Sequence, residues 1–188
     1  MLNNYTLRMP RTVYSGENSL ENIKNIVTNE YKRIAVFTDK GIVNSGVINL
    51  PLNILKDTGK EIVILDNLPI EPSCDEAQKV IDNFKGLDTD FIVAIGGGSV
   101  MDIAKLASVT ATDDYTVRDL LDSPELAKKK IKTLMIPTTA GTGSEATPNS
   151  IVGVPEKEVK VGIVNDEMIA DYVILDGAMI RNLPQKIA

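Results

Sequence analysis

Histidine is missing from this sequence altogether, and so is tryptophan. Without imidazole the chain has no means of building a Ser-His-Asp triad, a His-rich metal centre or a side-chain acid–base catalyst that titrates near neutrality. Any chemistry must come from carboxylates, Lys, Tyr, a cofactor or protein outside this chain. Cysteine is almost absent as well. The single Cys74 excludes an intramolecular disulfide framework and fits a reducing cytoplasm; with no His to activate it, it reads as a passive small residue. The N-terminus lacks a long apolar stretch, so neither a signal peptide nor a membrane span is expected. Positive charge is also in short supply: 20 Lys and Arg against 26 Asp and Glu leave a net charge of −6. That balance argues against a nucleic-acid partner, which needs a basic surface. Lys128-Lys129-Lys130 is the only basic cluster and reads as a solvated helix end.

What is present is ordinary in amount and informative in order. A chain of 188 residues, 43% hydrophobic and 24% charged, can bury a substantial core as one domain over residues 1–188. Apolar β-rich runs at Arg33–Thr38, Glu61–Leu65, Asp90–Ile95, Thr133–Ile136 and Tyr172–Leu175 read as strands. Helical stretches at Ser19–Thr28, Ile48–Asp57, Ser73–Phe84 and Ser99–Thr110 lie between or before them. The alternation predicts an α/β fold, a Rossmann-like parallel sheet with helices on both faces. Thr12–Ser15 is a candidate edge strand, and Ile151–Ile163 a β-hairpin turning at Pro155-Glu156-Lys157.

Three loops follow predicted strands. Gly96-Gly97-Gly98-Ser99 joins the buried run Phe91–Ile95 to the helix opening at Ser99. Such a turn aims free backbone N–H groups and a positive dipole end at an anion, and its glycines let the backbone approach closely. The plain alternative is a tight turn with no ligand. After Leu134-Met135-Ile136 comes Pro137-Thr138-Thr139-Ala140-Gly141-Thr142-Gly143-Ser144-Glu145, whose hydroxyls suit phosphate or sugar oxygens, or else satisfy their own backbone. Asp39 follows Ile34–Thr38; its carboxylate suits ribose hydroxyls and would repel a 2′-phosphate, or it caps a helix opening near Gly41. No Gly-x-Gly-x-x-Gly spacing is present, so the arrangement is not the standard dinucleotide fingerprint.

Gly96 to Lys105, taken with Ile136 to Glu145, resembles the iron-containing (group III) alcohol dehydrogenases. The likeness runs from Pro10…Gly16 through Thr38-Asp39-Lys40-Gly41 to Leu183-Pro184, essentially the whole chain. It implies the first of two lobes: a dehydroquinate synthase-like N-terminal α/β lobe that binds NAD, normally followed by an all-helical lobe that binds the metal. By that resemblance Gly97, Gly98 and Ser99 hold the pyrophosphate and Asp39 the adenosine ribose. Thr138, Thr139, Thr142 and Ser144 line the phosphate and nicotinamide side, and Asn149 and Lys160 reach the nicotinamide ribose. Asp102 is equally well read as a helix-start charge. Where the family often has Pro-Asn-Pro, this chain has Ile70-Glu71-Pro72.

The resemblance further implies a parent enzyme that interconverts a small alcohol and its aldehyde or ketone. Fe²⁺ or Zn²⁺ would bind only in the full-length parent, through an Asp and His residues of the helical lobe, and a homodimer would form through the N-terminal segment. Two rival readings are an NAD-dependent, dehydroquinate synthase-like lyase lobe and a free-standing nucleotide-binding module. Residues 178–188 read as the start of a further helix, with Pro184 in its first turn. The expectation there is a truncated chain in which Ile180, Leu183 and Ile187 lack their natural cover.

Overall fold

The computed structural model describes residues 6–112, 114–181 and 183. In chain order it contains β1 (Thr12–Ser15), α1 (Ile23–Ile26), β2 (Arg33–Phe37), α2 (Lys40–Ser45), α3 (Asn49–Asp57), β3 (Glu61–Leu65) and α4 (Cys74–Lys85). Then follow β4 (Phe91–Gly96), α5 (Gly98–Val109), α6 (Val117–Asp122), β5 (Lys132–Pro137), β6 (Asn149–Val154), β7 (Val159–Val164) and β8 (Tyr172–Leu175). Six strands form one sheet in the order β1-β8-β5-β4-β2-β3, every pair parallel. β6 and β7 form a separate antiparallel hairpin.

The central strands β2, β4 and β5 are buried on both faces, and their alternating side chains divide into two cores. Ile34, Val36, Phe91, Val93, Ile95, Leu134 and Ile136 face Ile23 and Ile26 of α1 and Leu52 and Leu55 of α3. Ala35, Phe37, Ile92, Ala94 and Met135 face Ala77, Ile81 and Phe84 of α4 together with α5, Val117 and Leu120 of α6, and Val152 and Ile163 of the hairpin. α5 is therefore enclosed by the sheet on one side and the hairpin on the other, and every residue from Val100 to Val109 is buried. A helix apolar nearly all round belongs in such a place.

Strand order creates the site. The chain runs outward from β2 to β3, then crosses back over β2 to begin β4. The carboxyl ends of β2 and β4 thus flank the point where the winding direction reverses, the crevice in which open α/β sheets bind ligands. β4 and β5 pair in register up to Gly96 opposite Pro137, so the loops after them leave the sheet abreast.

Several local expectations need revision. The stretch Ser19–Thr28 is a 3-10 turn, Ser19–Asn22, followed by a single α-helical turn, because Asn22 and Asn25 near its middle favour local hydrogen bonds over a long helix. Lys128–Lys130 do not end a helix but follow a 3-10 turn at Pro124–Leu126. Lys129 is partly buried, where its ammonium pairs with Asp171 at 3.1 Å and donates to the Ile169 carbonyl. α6 lacked a strong apolar period, yet its Thr116–Asp119 capping box was there to be read. Past β8 a 3-10 turn spans Gly177–Met179. The helix start placed at Pro184, and Ile187 with it, lie outside the described residues.

Candidate functional site

At the carboxyl edge, β4 ends in Gly96, Gly97 is the extended N-cap of α5, and the helix begins at Gly98. No side chain caps that N-terminus. Its first-turn N–H groups, with the positive end of a 12-residue helix, remain available to an anion. Contact requires glycine at Gly96, leaves little room at Gly98 and puts Gly97 in ordinary contact with the threonine loop. A Cβ on Gly96 would lie 2.6 Å from Val100 Cγ2. One on Gly98 would lie 3.2 Å from Ser144 Oγ and 3.4 Å from Thr142, and one on Gly97 3.4 Å from Thr139 Oγ1. The threonine-rich loop is therefore pressed onto the glycine turn, and Thr138 N donates to Gly96 O at 3.0 Å to fix the two together.

The hydroxyls of that loop behave in two ways. Thr142 Oγ1 accepts from Ser144 N at 3.3 Å, satisfying its own backbone as the plain reading of the loop allows. Thr138 Oγ1 and Thr139 Oγ1 are buried without a hydrogen-bond partner, and so is Thr38 Oγ1 at the end of β2. Buried hydroxyls are nearly always paired, so these three leave hydrogen-bonding capacity at this edge for a polar ligand or water.

Two clefts border the threonine-rich loop. One, of about 530 Å³, is lined by Asp39, Ile42, Val47, Thr138, Thr139, Met179 and Leu183. The other, of about 340 Å³, is lined by Glu71, Gly98, Ser99, Asp102, Thr142, Ser144 and Lys160. The loop's four candidate hydroxyl residues are thus split, Thr138 and Thr139 to the first cleft and Thr142 and Ser144 to the second. Asp39 Oδ1 caps α2 by accepting from Ile42 N at 2.9 Å while the same carboxylate borders the cleft, so capping and ligand-facing roles coexist. Asp176, which follows β8, has both oxygens committed, to Leu20 N and Ala178 N. Asn149 lies at the start of β6, its Oδ1 buried against Gly162 and without a partner. Lys160 Nζ pairs with Glu71 Oε1 at 2.8 Å across the mouth of the second cleft.

Asp102 is not a helix-start charge on a solvated first turn. It is buried; its Oδ2 accepts from Ile151 N at 3.1 Å and its Oδ1 lies 3.2 Å from Lys105 Nζ, an ion pair angled too obliquely for a hydrogen bond. Burial pulls the Lys105 pKa down, and the attraction of Asp102 offsets part of that. Val47, from the stretch after α2, meets Met179 and Leu183, from the segment after β8, to form the apolar wall of the larger cleft, and nothing in the sequence showed that these two segments come together. Among the described residues, no group of three or more His, Cys, Asp or Glu side chains is placed to hold a metal ion. No helix among them is long and apolar enough to cross a membrane.

Comparison with known proteins gives concordant matches. The sequence model described as iron-containing alcohol dehydrogenase matches residues 10–177. An alcohol dehydrogenase of Thermococcus barophilus is 29% identical over 180 residues, which cover 92% of this chain and 47% of that protein. The crystal structure of an iron-containing alcohol dehydrogenase from Thermotoga maritima superimposes with a TM-score of 0.87 at 34% identity, over 98% of this chain and 51% of the other. A sulfoacetaldehyde reductase from Bifidobacterium kashiwanohense, solved with NAD⁺, gives a TM-score of 0.83 at 26% identity, over 100% and 49% of the two chains. The chain spans about half the length of the relatives it matches.

Proposed function

The chain belongs to the iron-containing alcohol dehydrogenase family, and from that premise we propose that it is the NAD-binding lobe of an enzyme that interconverts a small alcohol and its aldehyde or ketone. The observation that carries this reading is the uncapped helix N-terminus with a cleft on each side of the threonine-rich loop beside it and three orphaned buried hydroxyls at the same edge. A dinucleotide is two nucleosides joined by an anion, and an anion-accepting turn between two clefts would suit it. The pyrophosphate would rest on Gly97, Gly98 and Ser99. The adenosine would occupy the larger cleft, its base against Val47, Met179 and Leu183 and its ribose on Asp39. The other nucleoside would fall between Ser144, Thr142 and Lys160, with Asn149 behind them. When bound, the nicotinamide supplies the hydride-accepting and hydride-donating chemistry; these residues orient it and exclude water from its phosphate side.

The described residues do not fit the family's metal. A borderline divalent ion calls for imidazole or clustered ligands, and this chain has no histidine and no such cluster among the described residues. The chain on this reading holds the cofactor and does not polarise the substrate oxygen. β1 ends the sheet with Val13 exposed, and an open edge of that kind is where a second copy would associate.

The test is a fluorescence titration of the 188-residue chain with NADH and with NADPH. Saturable NADH binding, weaker NADPH binding and no alcohol oxidation in the presence of added iron or zinc are the expected results. Failure to bind either nucleotide would refute the reading; equal affinities would refute the role of Asp39.

A further inference from the structure

Lys105 has no counterpart elsewhere in the described fold. It is a fully buried lysine in the middle of α5, facing away from solvent into the seam between that helix and the hairpin. Removing an ammonium from water is costly, and a Leu or Met would fill the same volume at no such cost. What a hydrocarbon would lack is donors. The Nζ donates to Thr147 O at 3.3 Å, to Thr147 Oγ1 at 3.4 Å and to Asn149 O, and lies beside Asp102 Oδ1. Its partner Asp102 accepts from Ile151 N, while the Asp102 carbonyl accepts from Ser150 Oγ at 3.0 Å. Lys105 and Asp102 together thus hold Thr147, Asn149, Ser150 and Ile151, the stretch through which the threonine-rich loop becomes β6.

We propose that Lys105, with Asp102, is a positioning residue for one half of the nucleotide cleft. It clamps the exit of the loop so that Thr142 and Ser144 stay over Gly98. The loop needs such a clamp. Its residues Ala140–Thr147 contain no strand or helix, and Gly141 and Gly143 both take left-handed conformations, φ +93° and +67°. Its entrance is fixed by β5; its exit is fixed by Lys105. Thr138, Thr139 and Asp39, in the larger cleft, lie on the β5 and β2 side and do not depend on it. The clamp therefore acts on one half-site and spares the other. Both residues reach the ligand only through others, and Asp102 merely borders the cleft.

The proposal rests on the dinucleotide reading of the cleft, and its test separates the two. Lys105→Met is compared with the parent chain in three measurements: amide hydrogen exchange without nucleotide, binding of NADH, and binding of AMP as a probe of the larger cleft alone. Exchange across residues 142–151 should rise at least tenfold while β2 and β4 keep their protection. NADH affinity should fall at least tenfold, and AMP affinity should stay within twofold. Unchanged exchange in 142–151, or equal losses for AMP and NADH, would overturn the clamp. A parent chain that binds no NADH would refute the dinucleotide reading and leave exchange to decide the clamp. Should the single variant fail to fold, Asp102→Asn/Lys105→Met leaves no uncompensated buried charge and is read in the same way.

Discussion

The two edges of the sheet are made by the same six strands and are used in opposite ways. At the amino edge the charges are spent inside the protein. Asp90 accepts from Lys32 N and Arg33 N, Asp171 accepts from Thr133 N and pairs with Lys129, and Arg33 lies beside Glu61. At the carboxyl edge, α2 and α5 start just beyond β2 and β4, where glycine and threonine replace ion pairs and the orphaned hydroxyls of Thr38, Thr138 and Thr139 gather. The amino edge has buried polar atoms without a hydrogen bond as well, Tyr31 Oη, Thr89 Oγ1 and Arg33 Nε, but the two hydroxyls follow the C-terminal ends of helices, where the dipole does not favour an anion, and the guanidinium is paired with Glu61.

The contrast is broken most severely at Gly98. In Gly98→Val the new side chain would enter the space held by Ser144 and Thr142, and NADH affinity should drop a hundredfold or more, about 2.7 kcal/mol, as read by fluorescence titration. Because Thr142 is exposed and Ser144 only half-buried, both can yield without opening the core, and the melting temperature should fall little.

Asp39→Gly comes next. Removing the carboxylate relieves like-charge repulsion against a 2′-phosphate, so the NADH-over-NADPH preference should narrow by about tenfold, roughly 1.4 kcal/mol. The lost cap on α2 should cost only a few tenths of a kcal/mol, because glycine is tolerated at that position. A preference that does not change would show that Asp39 only caps the helix.

Asp90→Ala tests the other edge. Two backbone N–H groups lose their acceptor, and stability to urea should fall by about 1–2 kcal/mol with nucleotide affinity unchanged. The opposite pattern from Gly98→Val, stability lost and binding kept, is what the comparison requires.

The smallest effect is expected at an exposed cluster away from both edges, where Arg118 bridges Asp75 and Glu156. Hydrogen bonding to the guanidinium holds both carboxyls below their ordinary values of 3.8 and 4.5. A carboxyl depressed on folding contributes stability above its unfolded pKa and loses it as pH falls through the folded one. Thermal melts taken from pH 5 down to about pH 3 should therefore decline less steeply for Arg118→Met than for the parent.

Much of the fold was legible because its signals are local. β3 and β8 have the bounds that their β-branched runs predict, and Arg33–Phe37 falls short of the predicted strand by one residue. Ser73 caps α4 through the capping box that its acidic first turn suggests. The glycine turn and threonine loop were recognisable because each is a continuous segment whose chemistry is written in consecutive residues. The apolar wall of the larger cleft was not legible. Val47, Met179 and Leu183 are ordinary hydrophobics until two distant segments bring them together. Asp102 looked like a surface charge because a helix's first turn is usually wet, and only the hairpin lying over α5 makes it a buried one.

From sequence alone came the α/β class, the glycine turn, the acidic residue after β2 and the exclusion of imidazole chemistry, since each depends on residue type or on spacing within one element. The tertiary structure decided the strand order that puts the β2 and β4 ends side by side, the division of four hydroxyl residues between two clefts, and the burial of Lys105 among Thr147, Asn149 and Asp102. These depend on which elements meet, and that follows from the joint burial of apolar faces contributed by the whole chain.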